Sequence, residues 1–402
     1  MHSQGSEHLF FRHFTEQGRL GDLCILLVTH LLPDRPQFIQ VLDGVGRVGA
    51  ILPKPKSVHG PTLAWAQQHY PVLPLNRHWT SDPEGVIAQI APLVEPHERL
   101  IILDIGGYFA KTQAILAEHF GARFLGVVEM TENGHQRYEQ EVLAAPVISV
   151  ARSPLKQAED IQIGLSVVYS AESLARTLRR TFNVCQAALF GYGKVGRSIA
   201  RELRCRNLHL ELVETDALRQ VEALSHGFKL VNKAEALGRA ELVICCTGNG
   251  SLDIADLQAL RPGAMLASVT SADDEFAFCL SQLPWPSEEV CPHVLALTRP
   301  DGSTIFLLNR GEAVNFVHGA VIGEYVYLVL AEIIEGVHQL AGQAPAAGLL
   351  ELPQATILNA KGDSLRRRWE GNFAGASAPL VLNVLLDHLQ RCSAARARKV
   401  RA

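Results

Sequence analysis

The sequence predicts an α/β protein made of two doubly wound domains, on three observations. Short apolar runs ending in Gly, Pro or Asp alternate with helical patterns over roughly the first 150 residues. A second, cleaner alternation begins near Cys185. The apolar palette is mainly Leu, Val, Ile and Ala: hydrophobic residues make up 48% of the 402-residue chain but aromatics only 6%. That palette suits parallel sheets covered on both faces. At roughly 150 residues per domain, the length allows two to three domains.

The first series of strands is expected at Leu23–Val28, Val48–Leu52, Leu100–Leu103, Ala122–Val128 and Pro146–Val150. A helix over Ser170–Arg180 follows, its closing arginine pair suited to the negative end of a helix dipole. In the second series Cys185–Phe190 reads as a strand, Lys194–Arg204 as a helix and Leu208–Val213 as a strand. Val243–Cys246, Ala264–Ser268 and Ile305–Leu308 read as further strands of that sheet. Phe316–Leu340 reads as a long apolar helix interrupted by Glu324, Glu332 and Glu335. The layout assigns 1–168 to the first part of a substrate domain, 169–318 to a second domain and 319–390 to a helical return. Hinges are expected near 165–185 and 316–340. Residues 391–402 form a basic tail, read as a solvated, frayed end.

Composition narrows the function. Lys and Arg number 37 against 41 Asp and Glu, a net charge of −4, so no electrostatic case exists for nucleic acid or an anionic membrane. With 19% charged residues, global disorder is excluded. The eight cysteines contain no CxxC pair, and Cys245 and Cys246 sit together in an apolar run. Neither a disulfide framework nor a metal site is expected. The N-terminal MHSQGSEHLFFRHF lacks the unbroken apolar core of a signal peptide, and no apolar run reaches the roughly 18 residues of a membrane span. A soluble, cytoplasmic protein is the expectation.

Residues 186–196 read QAALFGYGKVG, a GxGxxG at the join of a strand and a helix. Gly191 permits the tight turn, Gly193 lets the backbone approach a pyrophosphate, and Gly196 lets the helix pack against the strand. Lys194 and Val195 complete the turn, and the helix N-terminus holds the anion. The next strand ends in Glu214, 18 residues after Gly196. An acid there accepts from ribose hydroxyls and repels a 2′-phosphate, so NAD is expected rather than NADP. Asp216 is the other acid available, or a helix cap. A second small-residue turn, Thr247-Gly248-Asn249-Gly250, follows the CC strand on the edge where such cofactors sit. This makes the central domain a Rossmann NAD-binding domain inserted in a discontinuous α/β domain.

The run GYGKVGRSIARELR, then VETD, VICCTGNGSLD and SVTSADDEF, resembles the cofactor domain of S-adenosylhomocysteine hydrolase. Upstream, ILDIGG is similar to that family's LDDGG segment, GVVEMTENGHQRY to its EETTTG loop, and SPLKQAED to its S-x-T-K-x-K-F-D segment. GEAVNF resembles the RLVNL segment, and His30, 16 residues before Gly46, sits comparably to a substrate-site His. The similarity covers residues 20–340 in order and is strongest in the cofactor half.

The resemblance implies a reaction in which bound NAD oxidises a 3′-hydroxyl, the 4′ proton is lost, the 5′ thiol leaves, water adds and the hydride returns. It implies catalytic roles for Lys156, Asp160 and His30. Lys156, next to a nicotinamide cation, would have a lowered pKa and accept the hydroxyl proton. Taken alone, Lys156 reads as a surface lysine, Asp160 as part of a solvated acidic pair with Glu159, and His30 as structural. Thr131 and Asn133 match the loop that holds the nicotinamide ribose, or form a polar turn; Asn315 matches the carboxamide contact, or caps a helix.

The departures cluster. Ile105 stands where the family has its second LDDGG acid, Met130 where it has the second acid of EE, and Ser271, in Val269-Thr270-Ser271-Ala272-Asp273, where it has a catalytic His. The family's later G-H-P is also absent near Gly323-Glu324-Tyr325, where His318, nearer Asn315, is the substitute on offer, and its C-terminal Lys and Tyr have no match in Arg391–Ala402. Removing such acid–base groups costs on the order of 10²–10⁴-fold each. Efficient hydrolysis of S-adenosylhomocysteine is therefore not expected, unless Asp104, Glu129 or His135 takes over. Two functions stay open. One is NAD-dependent redox chemistry on a secondary alcohol of a nucleoside or related sugar, within the chemistry of one-carbon metabolism. The other is a non-catalytic NAD-binding regulator of the same fold. A plain hydroxyacid dehydrogenase ranks below both, because its His–acid pair is missing. The expected assembly is a homo-oligomer, with a dimer as the simplest form.

Overall fold

The computed structural model describes residues 19–270, 275–276, 283–321, 324–343 and 345–352. The expectations for the N-terminal run, for Ser271 and Asp273, and for the basic tail at 391–402 lie outside these residues. The chain divides into two compact units. One runs up to Ser153 and resumes at Tyr327; the other is Pro154–Val326.

The first unit holds β1 (Leu23–Leu31), β2 (Arg47–Val58), β3 (Arg99–Asp104), β4 (Phe124–Glu129), β5 (Pro146–Ser149) and β14 (Gly348–Glu351). They form one parallel sheet in the order β14-β5-β4-β3-β1-β2. Leu23 to Val28 of β1 and Leu100 to Leu103 of β3 are almost wholly buried, the mark of central strands covered on both faces. The chain leaves β1 to one side for β2 and then returns to the other side for β3. The carboxyl ends of β1 and β3 therefore flank a topological switch point, where open α/β sheets bind ligands.

The second unit holds β6 (Gln186–Phe190), β7 (His209–Val213), β8 (Lys229–Leu230), β9 (Leu242–Cys245), β10 (Met265–Ser268), β11 (Ser287–Cys291), β12 (Val294–Thr298) and β13 (Thr304–Leu308). The order is β11-β12-β13-β10-β9-β6-β7-β8. From β8 to β13 the strands are parallel, and β12 and β11 extend the sheet antiparallel. Residues of β6 feed both faces: Ala187 and Leu189 join the core with Ile199 and Leu203, while Ala188 and Phe190 join Val243, Leu257 and Leu266.

The predicted strands are all present, and so is the two-domain α/β class. The predicted helix over Ser170–Arg180 is the end of a longer one, Pro154–Thr177. That helix packs on its own unit: Ser198 Oγ donates to Ile161 O at 2.6 Å, and Ser166 Oγ to Ala320 O at 2.7 Å. The units accordingly divide at Pro154 and Tyr327, whereas the sequence layout divides at 168 and 318. The helix expected over Phe316–Leu340 is broken: Val314–His318 is a 3₁₀ turn ended by Gly319 at φ +84°, and the α-helix is Glu324–Gln343. The exposed SEEVC of β11 and the two-residue β8 carry too little apolar pattern to read from sequence.

Among the described residues no helix is long and apolar enough to cross a membrane. The described cysteines are free thiols, and no cluster of His, Cys, Asp and Glu suited to a metal occurs among those residues.

Candidate active site and coenzyme cradle

The GxGxxG forms a tight cradle after β6. Gly191 has φ +97°, a conformation that L side chains rarely adopt. A Cβ on Gly196 would stand 2.2 Å from Gly191 O and 3.1 Å from Cys246 Sγ, so only glycine lets the helix Lys194–Cys205 start this close to the strand. A Cβ on Gly193, by contrast, would meet only Arg219 Nη1, at 3.8 Å. That side of the loop is open to an approaching group. No side chain caps the helix that Lys194 and Val195 begin, and Val195 packs on the core.

Glu214 leans back over this loop from the end of β7. Its carboxylate accepts from Tyr192 N at 2.6 Å, Thr215 N at 2.7 Å and Asp216 N at 2.9 Å. Asp216 instead caps the helix Ala217–Ser225, accepting from Arg219 N at 2.9 Å. The two acids thus separate into a cradle acid and a cap.

The Thr247–Gly250 turn is anchored by Glu275, which is 2% exposed. Thr247 N and Oγ1 donate to Glu275 Oε1 at 3.0 Å, and Gly248 N to Oε2 at 3.0 Å. Asn249 N donates to Thr247 Oγ1 at 3.1 Å. Burial pushes the Glu275 carboxyl up, against the pull of these donors. Nothing in the sequence marks Glu275 beyond its place in an acidic run. Asn315 is buried in the turn that Ala313 pairs with Ser268 at the end of β10. Its Oδ1 has no hydrogen-bond partner, and neither does the buried Thr270 Oγ1. Buried polar atoms without partners are rare, and these two fit a site built for a polar ligand. His318 is occupied structurally: its Nδ1 meets Ser170 Oγ at 3.0 Å, and its ring packs edge-on against Tyr169. Burial lowers its pKa.

Lys156, Glu159 and Asp160 occupy the first turns of the helix Pro154–Thr177, all buried. Lys156 Nζ donates to Glu159 Oε2 at 2.5 Å and to Asp160 Oδ1. This overturns two sequence expectations. Lys156 is not a surface lysine, and Glu159 and Asp160 are not a solvated pair. Within this triad the Lys156 pKa is raised: burial works against the charge, but the two carboxylates outweigh it.

In the first unit, His30 stands at the carboxyl end of β1 with Nδ1 2.5 Å from Ser57 Oγ. It lines a cavity at the β1/β3 switch point together with Arg35, Asp104, Ile105 and Met130. The rest of the lining is largely apolar, including Phe38, Leu103 and Leu330. Beneath the cavity two acids pair across adjacent strands. Asp104 and Glu129 are register partners on β3 and β4, and both are buried. Glu129 accepts from Gly106 N, Gly107 N, Thr131 N and Thr131 Oγ1. Asp104 Oδ2 accepts from Phe109 N and Tyr138 Oη, while its Oδ1 has no partner. Burial and the neighbouring Asp104 push the Glu129 carboxyl up to about 7, and burial also raises Asp104.

Thr131 caps the helix Glu132–Glu139, accepting from Gly134 N at 3.1 Å while donating to Glu129, so its hydroxyl already has structural work. Asn133 lies in the first turn of that helix. His135 is buried, with Nδ1 2.8 Å from Ser149 Oγ and Nε2 3.1 Å from Glu139.

Residues 167–321 match the protein family described as "S-adenosyl-L-homocysteine hydrolase, NAD binding domain". The adenosylhomocysteinase of Thermotoga maritima is 30% identical over 228 residues, which cover 54% of this chain and 55% of that protein. The chain therefore spans about half the length of the curated relative it matches. Among solved structures, dipicolinate synthase A chain from Bacillus subtilis is 11% identical with a TM-score of 0.39, covering 81% of this chain and 99% of that one. The pyruvate reductase of Chlamydomonas reinhardtii is 11% identical with a TM-score of 0.37, covering 80% and 97%.

Proposed function

For this member of the S-adenosylhomocysteine hydrolase superfamily, whose residues 167–321 are an NAD-binding domain, we propose NAD-dependent redox chemistry on a secondary alcohol of a nucleoside or related sugar. The observation that carries the reading is the buried Lys156 set between Glu159 and Asp160. NAD supplies the hydride acceptor when bound. The chain's own residues must then hold the coenzyme, orient the alcohol and take its proton.

Gly191, Gly193 and Gly196 admit the diphosphate to the start of a helix. Glu214 accepts from ribose hydroxyls in place of the backbone amides it now holds, and would repel a 2′-phosphate. Thr247, Gly248 and Asn249 form the second wall, braced by Glu275. Asn315 offers its unpartnered Oδ1 to the amide of the nicotinamide, while Thr131 and Asn133 serve the nicotinamide ribose. Lys156 keeps its proton at rest and stabilises the developing alkoxide. Lys156 first passes one proton to Asp160 along their hydrogen bond; the neutral amine then takes the hydroxyl proton, so the net transfer is from alcohol to carboxylate. His30, steadied by Ser57, contacts the substrate.

Hydrolysis of S-adenosylhomocysteine is inefficient on this reading, because Ile105 and Met130 can neither give nor take a proton. Those same two side chains favour a second reading, a non-catalytic NAD-binding regulator. A homo-oligomer in the cytoplasm completes the proposal. The test is full-length protein loaded with NAD and offered a panel of nucleosides and sugars, with absorbance followed at about 340 nm. Growth of the band with one alcohol supports redox chemistry. Silence across the panel, with NAD demonstrably bound, overturns it in favour of the regulator.

A further inference from the structure

Arg219 belongs to the first turn of the helix Ala217–Ser225. Its backbone N–H is taken by the capping Asp216 at 2.9 Å, which fixes that turn. Its side chain reaches the coenzyme cradle, where Nη1 is the one atom a Cβ on Gly193 would meet, at 3.8 Å. Arg219 is exposed, and no carboxylate or carbonyl among the described residues accepts from its guanidinium.

Acids are close at hand. Asp216 and Glu222 stand three residues to either side, a spacing at which helical ion pairs form, yet each is engaged elsewhere. Asp216 Oδ1 holds the cap, and Glu222 Oε1 accepts from Arg197 Nη1 at 2.5 Å. Glu214 is taken up by the amides of Tyr192, Thr215 and Asp216. The arginines on the neighbouring helix are engaged too: Arg204 donates to His226 O, and Arg206 to Glu172 and Glu202. Arg219 passes over three acids to lie on a glycine loop.

That loop is where the backbone admits a pyrophosphate. The helix Lys194–Cys205 starts there without a side-chain cap, so its amides and dipole face the same spot. A helix end supplies roughly half a charge, too little for a doubly charged diphosphate, and the Glu214 carboxylate works against it. We infer that Arg219 is a ligand of the coenzyme's diphosphate, its fork of donors taking phosphate oxygens. Glu214 and Arg219 then divide the work, the acid reading the ribose and the arginine holding the phosphates. This inference rests on the coenzyme reading of the cradle and is independent of the redox reaction.

The test is calorimetry of the full-length chain, stripped of bound nucleotide, with NAD, ADP-ribose and NADP, on the parent and on Arg219→Met. The substitution should weaken NAD and ADP-ribose equally, by about tenfold. It should also flatten the fall of NAD affinity with added salt. Arg219→Lys, which keeps the charge without the fork, should recover part of the loss. The melting temperature of the coenzyme-free protein should stay within about a degree of the parent's, because the side chain has no structural partner to lose. A clear fall there would give Arg219 a role in folding and overturn the inference. A loss confined to NADP would place the guanidinium on the 2′-phosphate and overturn it as well. A parent that binds NAD no more tightly than Arg219→Met sinks this inference alone, whereas a parent that binds none of the three ligands sinks the coenzyme reading of the cradle.

Discussion

Lys156 and Asp160 form a buried ion pair one helical turn apart, with Glu159 as a second carboxylate on the same ammonium. The three groups carry one net negative charge, and none can leave without exposing the others. Lys156→Met strands two buried carboxylates and should cost about 3–5 kcal/mol of stability, read as a lower melting temperature. Hydride transfer should fall on the order of 10²–10⁴-fold. Lys156→Met with Asp160→Asn should regain part of the stability and none of the rate. A single variant as stable as the parent would contradict the pairing.

Glu129 makes stability depend on pH. Its folded pKa, raised to about 7 by burial and by Asp104, lies above its unfolded value, so folding favours the protonated form. The stabilisation is complete below the unfolded pKa and is lost as pH rises through about 7. Denaturant unfolding should therefore show the parent losing stability between about pH 5 and pH 8. Glu129→Gln should start lower, because its amide cannot accept from all four donors, and should show a flatter profile. A parent profile that rises over that range would refute the assignment.

Gly196 sets the approach of helix and strand. Gly196→Val places side-chain atoms against Gly191 O, where even a Cβ would stand at 2.2 Å, and the contact is with backbone that cannot swing aside. A loss of about 1–3 kcal/mol is expected, with coenzyme binding abolished in the protein that still folds. Gly193→Ala, meeting only the end of Arg219, should fold normally and weaken coenzyme binding alone. Circular dichroism with calorimetry separates the two outcomes.

Glu214 sets the choice of coenzyme. Glu214→Ala should bring the ratio of NADP to NAD dissociation constants at least about tenfold closer to one, by removing both the ribose acceptor and the repulsion of a 2′-phosphate. An unchanged ratio would assign the selection elsewhere.

Much of this was legible in the sequence because the relevant signals are local. The glycines, the acid at the end of β7 and the apolar runs lie within short windows, and the strands follow from them. What escaped depends on partners far along the chain. Glu275 braces Thr247 from outside its own strand–turn unit, and Asp104 meets Glu129 only through the register of β3 and β4. The raised pKa of Lys156 shows the same limit. Its spacing to Asp160 was visible, but the burial of all three groups was not.

The most direct measurement is calorimetric titration of the full-length chain, stripped of bound nucleotide, with NAD and then with NADP. One equivalent of NAD per chain, held at least about tenfold more tightly than NADP, is the result expected of the Gly191–Gly196 cradle and Glu214. A chain that takes up neither coenzyme, or that prefers NADP, would contradict the account.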